Sequence, residues 1–164
     1  MVELDALRHC ELFADLSDKE LGQLAAIVCE ERHEPGSLIC AERELADRLF
    51  VLSRGRVQLQ IRLRGHLEPA GEATIEEVEP GRIFGWSSLV KQRRFTASAR
   101  ALDPVAVLSI RADDLRALFD QSPHIGFVVM KQLAEVVASR LQHTRQVCEE
   151  AAAEAALDDG RREG

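Results

Sequence analysis

The spacing of apolar residues changes period twice along this chain. Near the start, Leu21, Leu24, Ala25 and Val28 recur at helical intervals, and Ser17 followed three residues later by Glu20 is a capping-box signal. This spacing predicts a helix over 18–29. The period then falls to two. Residues 56–63 alternate strictly, which places Val57, Leu59, Ile61 and Leu63 on one buried face. Shorter runs rich in branched and apolar residues predict strands at 37–40, 48–52, 73–78, 100–102 and 106–110, with a loop at 66–71 around Pro69. Short strands at regular intervals with turns between them predict an antiparallel arrangement rather than alternating α/β units.

From residue 111 the helical period returns. Asp113 and Asp114 open a short amphipathic helix over 113–119, acidic where the helix dipole favours it. Ser122-Pro123 then fits the cap and first position of a long helix reaching about Leu157. Along it Gly126, Met130, Leu133, Val137, Leu141, Thr144 and Cys148 fall every three or four residues. At 1.5 Å per residue such a helix is about 50 Å long, more than a small domain needs. Met130, Leu133, Val137 and Leu141 are therefore expected to form a homodimer seam, the alternative being a stripe that packs only on its own sheets. The expected fold class is α+β: an antiparallel β-roll, jelly-roll-like, flanked by N-terminal helices and a long C-terminal helix. The expected division is a domain over 1–141, a helix extension over 142–157 and a flexible acidic tail over 158–164.

Composition narrows the function. The 164 residues are 46% hydrophobic, enough for one domain with a substantial core. Acidic residues outnumber basic ones 28 to 21, giving a net charge of −7. The pairs Arg93-Arg94 and Arg161-Arg162 are too short to make a basic face, so direct nucleic-acid binding is not expected. No apolar run of about 18 residues and no basic-then-apolar leader at Met1-Val2-Glu3 is present, so a cytoplasmic protein without membrane contact is expected.

Cys10, Cys29, Cys40 and Cys148 lie 19, 11 and 108 residues apart, far from the tight spacing of cluster ligands. His9, His33, His66, His124 and His143 show no ligand pattern, so no metal site is expected and nothing selects a haem ligand. Ser87-Ser88 lacks the glycine pattern of a nucleophile elbow, and no paired acid and base appear, so an enzyme is not expected.

The residues from Pro80 to Ala101 carry the most chemistry. A Pro80-Gly81 turn leads to Phe84-Gly85, Trp86-Ser87-Ser88-Leu89 can start a short helix, and 95–99 can return as a strand. The backbone N–H groups at such a helix start, with the helix dipole, favour an anion, and Gly85 permits close approach of a ligand. This order resembles the cyclic nucleotide-binding domain of the catabolite activator protein and FNR regulator family. The likeness runs from about Leu12 to about Leu141. It includes Glu34-Pro35-Gly36, Leu49-Phe50-Val51-Leu52-Ser53-Arg54-Gly55-Arg56-Val57, Glu79-Pro80-Gly81, Phe84-Gly85 and the long final helix.

The resemblance implies a cassette of Phe-Gly-Glu, then Ala or Ser before Leu, and later Arg-x-Ala-Thr/Ser. In it the Glu takes the ribose hydroxyl and the Arg takes the cyclic phosphate. It also implies that the long helix pairs with its copy in a second subunit. Gly85, Ser88, Leu89, Ala97 and Ser98 agree with the cassette, while Trp86 stands where the Glu would be and Phe95 where the Arg would be. A buried phosphate depends on charge-assisted hydrogen bonds worth about 1.5–3 kcal/mol each, and Phe95 offers none.

Strand alternation turns Arg94 away from the side that Phe95 occupies, whereas Arg93 shares that side and reaches an anion only if the strand entry bends. Trp86 and Phe95 either fill the pocket or leave room for a flat or apolar ligand on the indole. The candidate ligand residues are thus Phe84, Gly85, Trp86, Ser87, Ser88, Leu89, Arg93, Arg94, Phe95, Thr96, Ala97 and Ser98. A cyclic nucleotide is the cofactor implied by the resemblance; the residues themselves select none. The expected function is a ligand-sensing regulatory domain that does not hold cyclic AMP in the usual way. The alternatives are a dimerisation or interaction module with a filled pocket, or the sensor part of a longer transcription regulator. No DNA-reading domain lies within these residues, so output through another protein is expected.

Overall fold

The computed structural model describes residues 4–63, 71–91 and 93–162. After a first helix, α1 (Leu4–Arg8), the expected capping box is formed at α2 (Asp18–Ala25): Glu20 N–H donates to Ser17 Oγ at 3.4 Å and Ser17 N–H donates to Glu20 Oε2 at 2.9 Å. The helix ends earlier than its apolar period suggests. Val28 begins a strand, β1 (Val28–His33), and the helix expected to reach residue 29 is corrected accordingly. Its six residues pair with a later strand from Val28↔Ile110 to His33↔Val105, so a long-range ladder overrides the local pattern. Glu30 and Arg32 are solvent-exposed on this strand and hide its signal.

Seven further strands follow: β2 (Leu38–Cys40), β3 (Arg48–Arg54), β4 (Val57–Arg62), β5 (Glu72–Val78), β6 (Ile83–Phe84), β7 (Ser98–Ala101) and β8 (Val105–Arg111). They form two antiparallel four-stranded sheets, ordered β1-β8-β3-β6 and β2-β7-β4-β5, which make the expected β-roll. Between the sheets lies one apolar cluster that includes Cys40, Phe50, Leu52, Val57, Leu59, Val78, Phe84, Ala99 and Val107.

The alternation of β4 holds only for its first half. Val57 and Leu59 are buried, Ile61 is half-buried and Leu63 is 52% exposed. Past Leu59 the ladder slips in register, with Ile75 of β5 as the extra residue, and Leu63 lies beyond the end of β4 at Arg62. Between β3 and β4, Gly55 has φ +89°, and a Cβ there would lie 2.7 Å from the Pro104 carbonyl oxygen, so the Arg54-Gly55-Arg56 turn needs glycine. The loop expected over 66–71 lies, apart from Gly71, outside the described residues.

Helix α3 (Ala112–Gln121) has the expected acidic start at Asp113 and Asp114 and buries Leu115 and Leu118. Ser122 joins it to α4 (Pro123–Arg162): its N–H donates to the Leu118 carbonyl, and its own carbonyl accepts from Ile125 N–H at 3.0 Å. The chain divides into two compact units within α4, between Gln132 and Leu133. The second unit is helical through Arg162. The flexible tail expected from residue 158 is therefore helix over 158–162, where Arg162 pairs with Asp158 at 3.8 Å, one turn apart.

Candidate functional site

The cassette begins where β6 runs out. Phe84 is buried and stacks on Phe50 of β3, ring centroids 5.0 Å apart and planes 13° apart. Gly85 then turns left-handed at φ +75° and opens a single 3-10 turn over Trp86–Leu89, closed by Ser88 N–H to the Gly85 carbonyl at 3.1 Å. Ser87 and Ser88 are buried, Trp86 and Leu89 half-buried. The Ser88 carbonyl accepts a hydrogen bond from Arg116 of α3, whose guanidinium also meets Asp113 at 3.0 Å. The Ser88 hydroxyl is buried without a hydrogen-bond partner among the described residues.

The return segment is not the strand expected over 95–99; regular pairing begins only at Ser98. Before it, Arg93 adopts φ +44°, and residues 93–95 pair instead with the loop at 43–46. Phe95 N–H donates to the Glu44 carbonyl at 3.0 Å, Arg43 N–H to the Phe95 carbonyl at 2.8 Å, and Ala46 N–H to the Arg93 carbonyl at 2.8 Å. The bend at Arg93 leaves both arginines exposed, and Arg94 Nη1 donates to the Arg43 carbonyl at 2.7 Å. Thr96 is exposed, Ala97 packs against the core, and Ser98 Oγ accepts from Glu42 N–H at 2.9 Å.

Phe95 is only 6% exposed and belongs to the core cluster, its ring 6.4 Å from that of Phe50. A Cβ built on Gly85 would stand 3.2 Å from Phe95 Cε1, 3.1 Å from Phe50 Cδ2 and 3.0 Å from the Arg48 carbonyl. The aromatic ring thus lies against the left-handed glycine of the turn. The cassette residues do converge, but around Phe95 rather than around a cation. Phe50 and Arg116 were not legible as cassette partners, since contacts across 28 residues and across a sheet leave no local signal.

A second polar group lies on the β1-β8-β3 sheet. Glu31 Oε1 accepts from Arg48 Nη1 at 2.6 Å and from Ser109 Oγ at 2.5 Å, compensating a half-buried carboxylate. Burial pushes the thiols of Cys10 and Cys40 up to about 12, so both are neutral and inert near neutral pH. No group of three potential metal ligands occurs among the described residues.

Comparison with known proteins agrees with this architecture. The cyclic nucleotide-binding domain family matches residues 30–122, more than half of the chain, and the protein belongs to that family. It is 28% identical over 136 residues to the cyclic AMP receptor protein of Thermus thermophilus, covering 83% of this chain and 59% of that protein. It is 31% identical over 110 residues to the CRP-like cAMP-activated global transcriptional regulator of Mycobacterium tuberculosis, covering 66% of this chain and 45% of the regulator. A solved Geobacter metallireducens protein, provisionally named as cyclic nucleotide-binding, superposes with a TM-score of 0.73 at 36% identity, covering 86% of this chain and 99% of its own. The chain therefore spans about half the length of the curated relatives it matches.

Proposed function

We propose that this chain is a regulatory, non-enzymatic module that retains the cyclic nucleotide-binding fold but does not hold a cyclic phosphate in the family's usual manner. The observation that supports this reading is the position of Phe95: it stands where the cassette motif has arginine, and its ring is buried against Gly85 and Phe50. A phosphate placed there would meet apolar carbon and lose its hydration without a compensating donor. Arg93 and Arg94 are exposed beyond the bend and offer no buried fork.

On this reading the output runs through protein contacts, including a homodimer in which α4 pairs with its copy. Met130, Val137 and Leu141 are exposed apolar residues suited to such a seam, while Leu133 of the expected stripe is buried. Titration calorimetry with cyclic AMP and cyclic GMP tests the proposal: neither should bind measurably. Micromolar affinity, about −8 kcal/mol, would overturn it.

The unpartnered hydroxyl of Ser88 beside half-buried Trp86 favours a second reading, a small ligand other than a cyclic nucleotide. Native mass spectrometry of the purified protein distinguishes the two, because a retained small-molecule adduct belongs only to the second.

A further inference from the structure

The loop at 43–46 and the segment after the cassette turn bring Arg43, Arg93 and Arg94 together on one edge, with Lys91 beside them. Leu45, bridged to Arg94, is 62% exposed, and Val90 is also exposed. Two features set this edge apart. In a chain with seven more acidic than basic residues, none of these four cations has a carboxylate partner within ion-pair distance among the described residues. Second, Arg43 at φ 72° and Arg93 at φ 44° are the non-glycine residues with left-handed backbone among the described residues. Such backbone is strained for a side chain with a Cβ, and glycine there would relieve it. Among the described residues neither arginine offsets that strain through an ion pair.

We infer that this edge docks an acidic, leucine-containing segment of a partner protein. Three guanidinium groups and an ammonium attract the carboxylates, and exposed Leu45 and Val90 of the same two segments give apolar contacts. Glu44, exposed in the same loop, repels a uniform polyanion and suits a partner of mixed composition. That argues for a protein segment over nucleic acid, which rewards concentrated positive charge without interruption. It also argues against a lipid surface, since two isolated aliphatic side chains insert little apolar area.

The test uses the full chain and a fluorescein-labelled peptide of alternating glutamate and leucine, with a glutamine-leucine peptide as control. Fluorescence anisotropy at physiological salt should show at least about a tenfold preference for the glutamate peptide. The double variant Arg43→Gly with Arg93→Gly should lose about tenfold in affinity while its melting temperature stays equal or rises, because both changes remove backbone strain. Equal binding of the two peptides, no binding of the glutamate peptide up to about 100 µM, or undiminished binding by the double variant would overturn the inference. Tighter binding to a DNA duplex or to phosphatidylserine vesicles than to the peptide would also overturn it.

Discussion

Replacing Phe95 by arginine restores the family's cassette chemistry and tests where the Phe95 ring lies. The ring is 6% exposed in a cluster with Cys40, Ala46, Phe50, Leu59, Phe84 and Ala99. Removing it forfeits the burial of a phenyl group, which in protein cores costs about 3–5 kcal/mol, and the incoming guanidinium adds a desolvation penalty unless it reaches solvent. For a chain of this size each kcal/mol lowers the melting temperature by about 2–4 °C, so a loss of roughly 10 °C or more is expected in a thermal melt. The Phe95→Arg variant then presents the fork that a cyclic phosphate requires. Combined with Trp86→Glu, which supplies a carboxylate for the ribose, it should regain stability when cyclic AMP is added. At 100 times the dissociation constant that recovery is about 2.7 kcal/mol. An unchanged melting temperature in Phe95→Arg would refute the placement of the ring in the core. A destabilised double variant that cyclic AMP fails to stabilise would refute the residue-by-residue match to the cassette.

Two further outcomes follow from other parts of the chain. The Glu20 carboxyl is held down to about 2 by its hydrogen bond to His124 and then by those to Ser17, against an ordinary value of 4.5. Because the folded-state value is depressed, this contribution is present above 4.5 and is lost as pH falls toward 2; urea midpoints should drop over that window in the parent, and Glu20→Gln should flatten that limb. An equally steep acid limb in Glu20→Gln would count against it. Val137→Glu should convert a dimer to a folded monomer in sedimentation velocity, since an unpaired charge repeated across a two-fold axis costs several kcal/mol; a monomeric parent, or a variant that remains dimeric, would exclude α4 as the seam.

The sequence was most legible where one residue decides a local geometry. The Ser17/Glu20 box, the Arg54-Gly55-Arg56 turn and Phe84-Gly85 each depend on local backbone geometry, and each appears as expected. Strand β1 was hidden because Glu30, Glu31 and Arg32 carry no apolar alternation; its place is fixed by a ladder to β8 roughly half the chain away. The same holds for the end of β4, where no residue type announces that the strand stops at Arg62 and leaves Leu63 exposed. In the cassette, period-two reasoning placed Arg93 on the side of Phe95, but the left-handed backbone at Arg93 ends that alternation and leaves Arg93 outside. The burial of Phe95 itself was not legible, because it depends on packing against Gly85 and Phe50 across the fold.

A cassette that answers a ligand must be able to shift between two arrangements, and this one is fastened from several elements. Gly81 N–H donates to the Leu52 carbonyl at 2.8 Å before the turn, Arg116 of α3 holds the Ser88 carbonyl within it, and Ser98 Oγ accepts from Glu42 N–H at 2.9 Å after it. Phe95 adds an apolar anchor inside the same segment. Opening the segment would break these three hydrogen bonds, of about 1 kcal/mol or more each, and withdraw a buried ring worth about 3–5 kcal/mol, more than a weakly held small molecule supplies by differential binding. On the proposed reading the cassette then acts as a fixed platform. In such a module regulation comes from what binds its surfaces, and the arginine edge beside the cassette and the apolar residues of α4 are where that binding is to be sought.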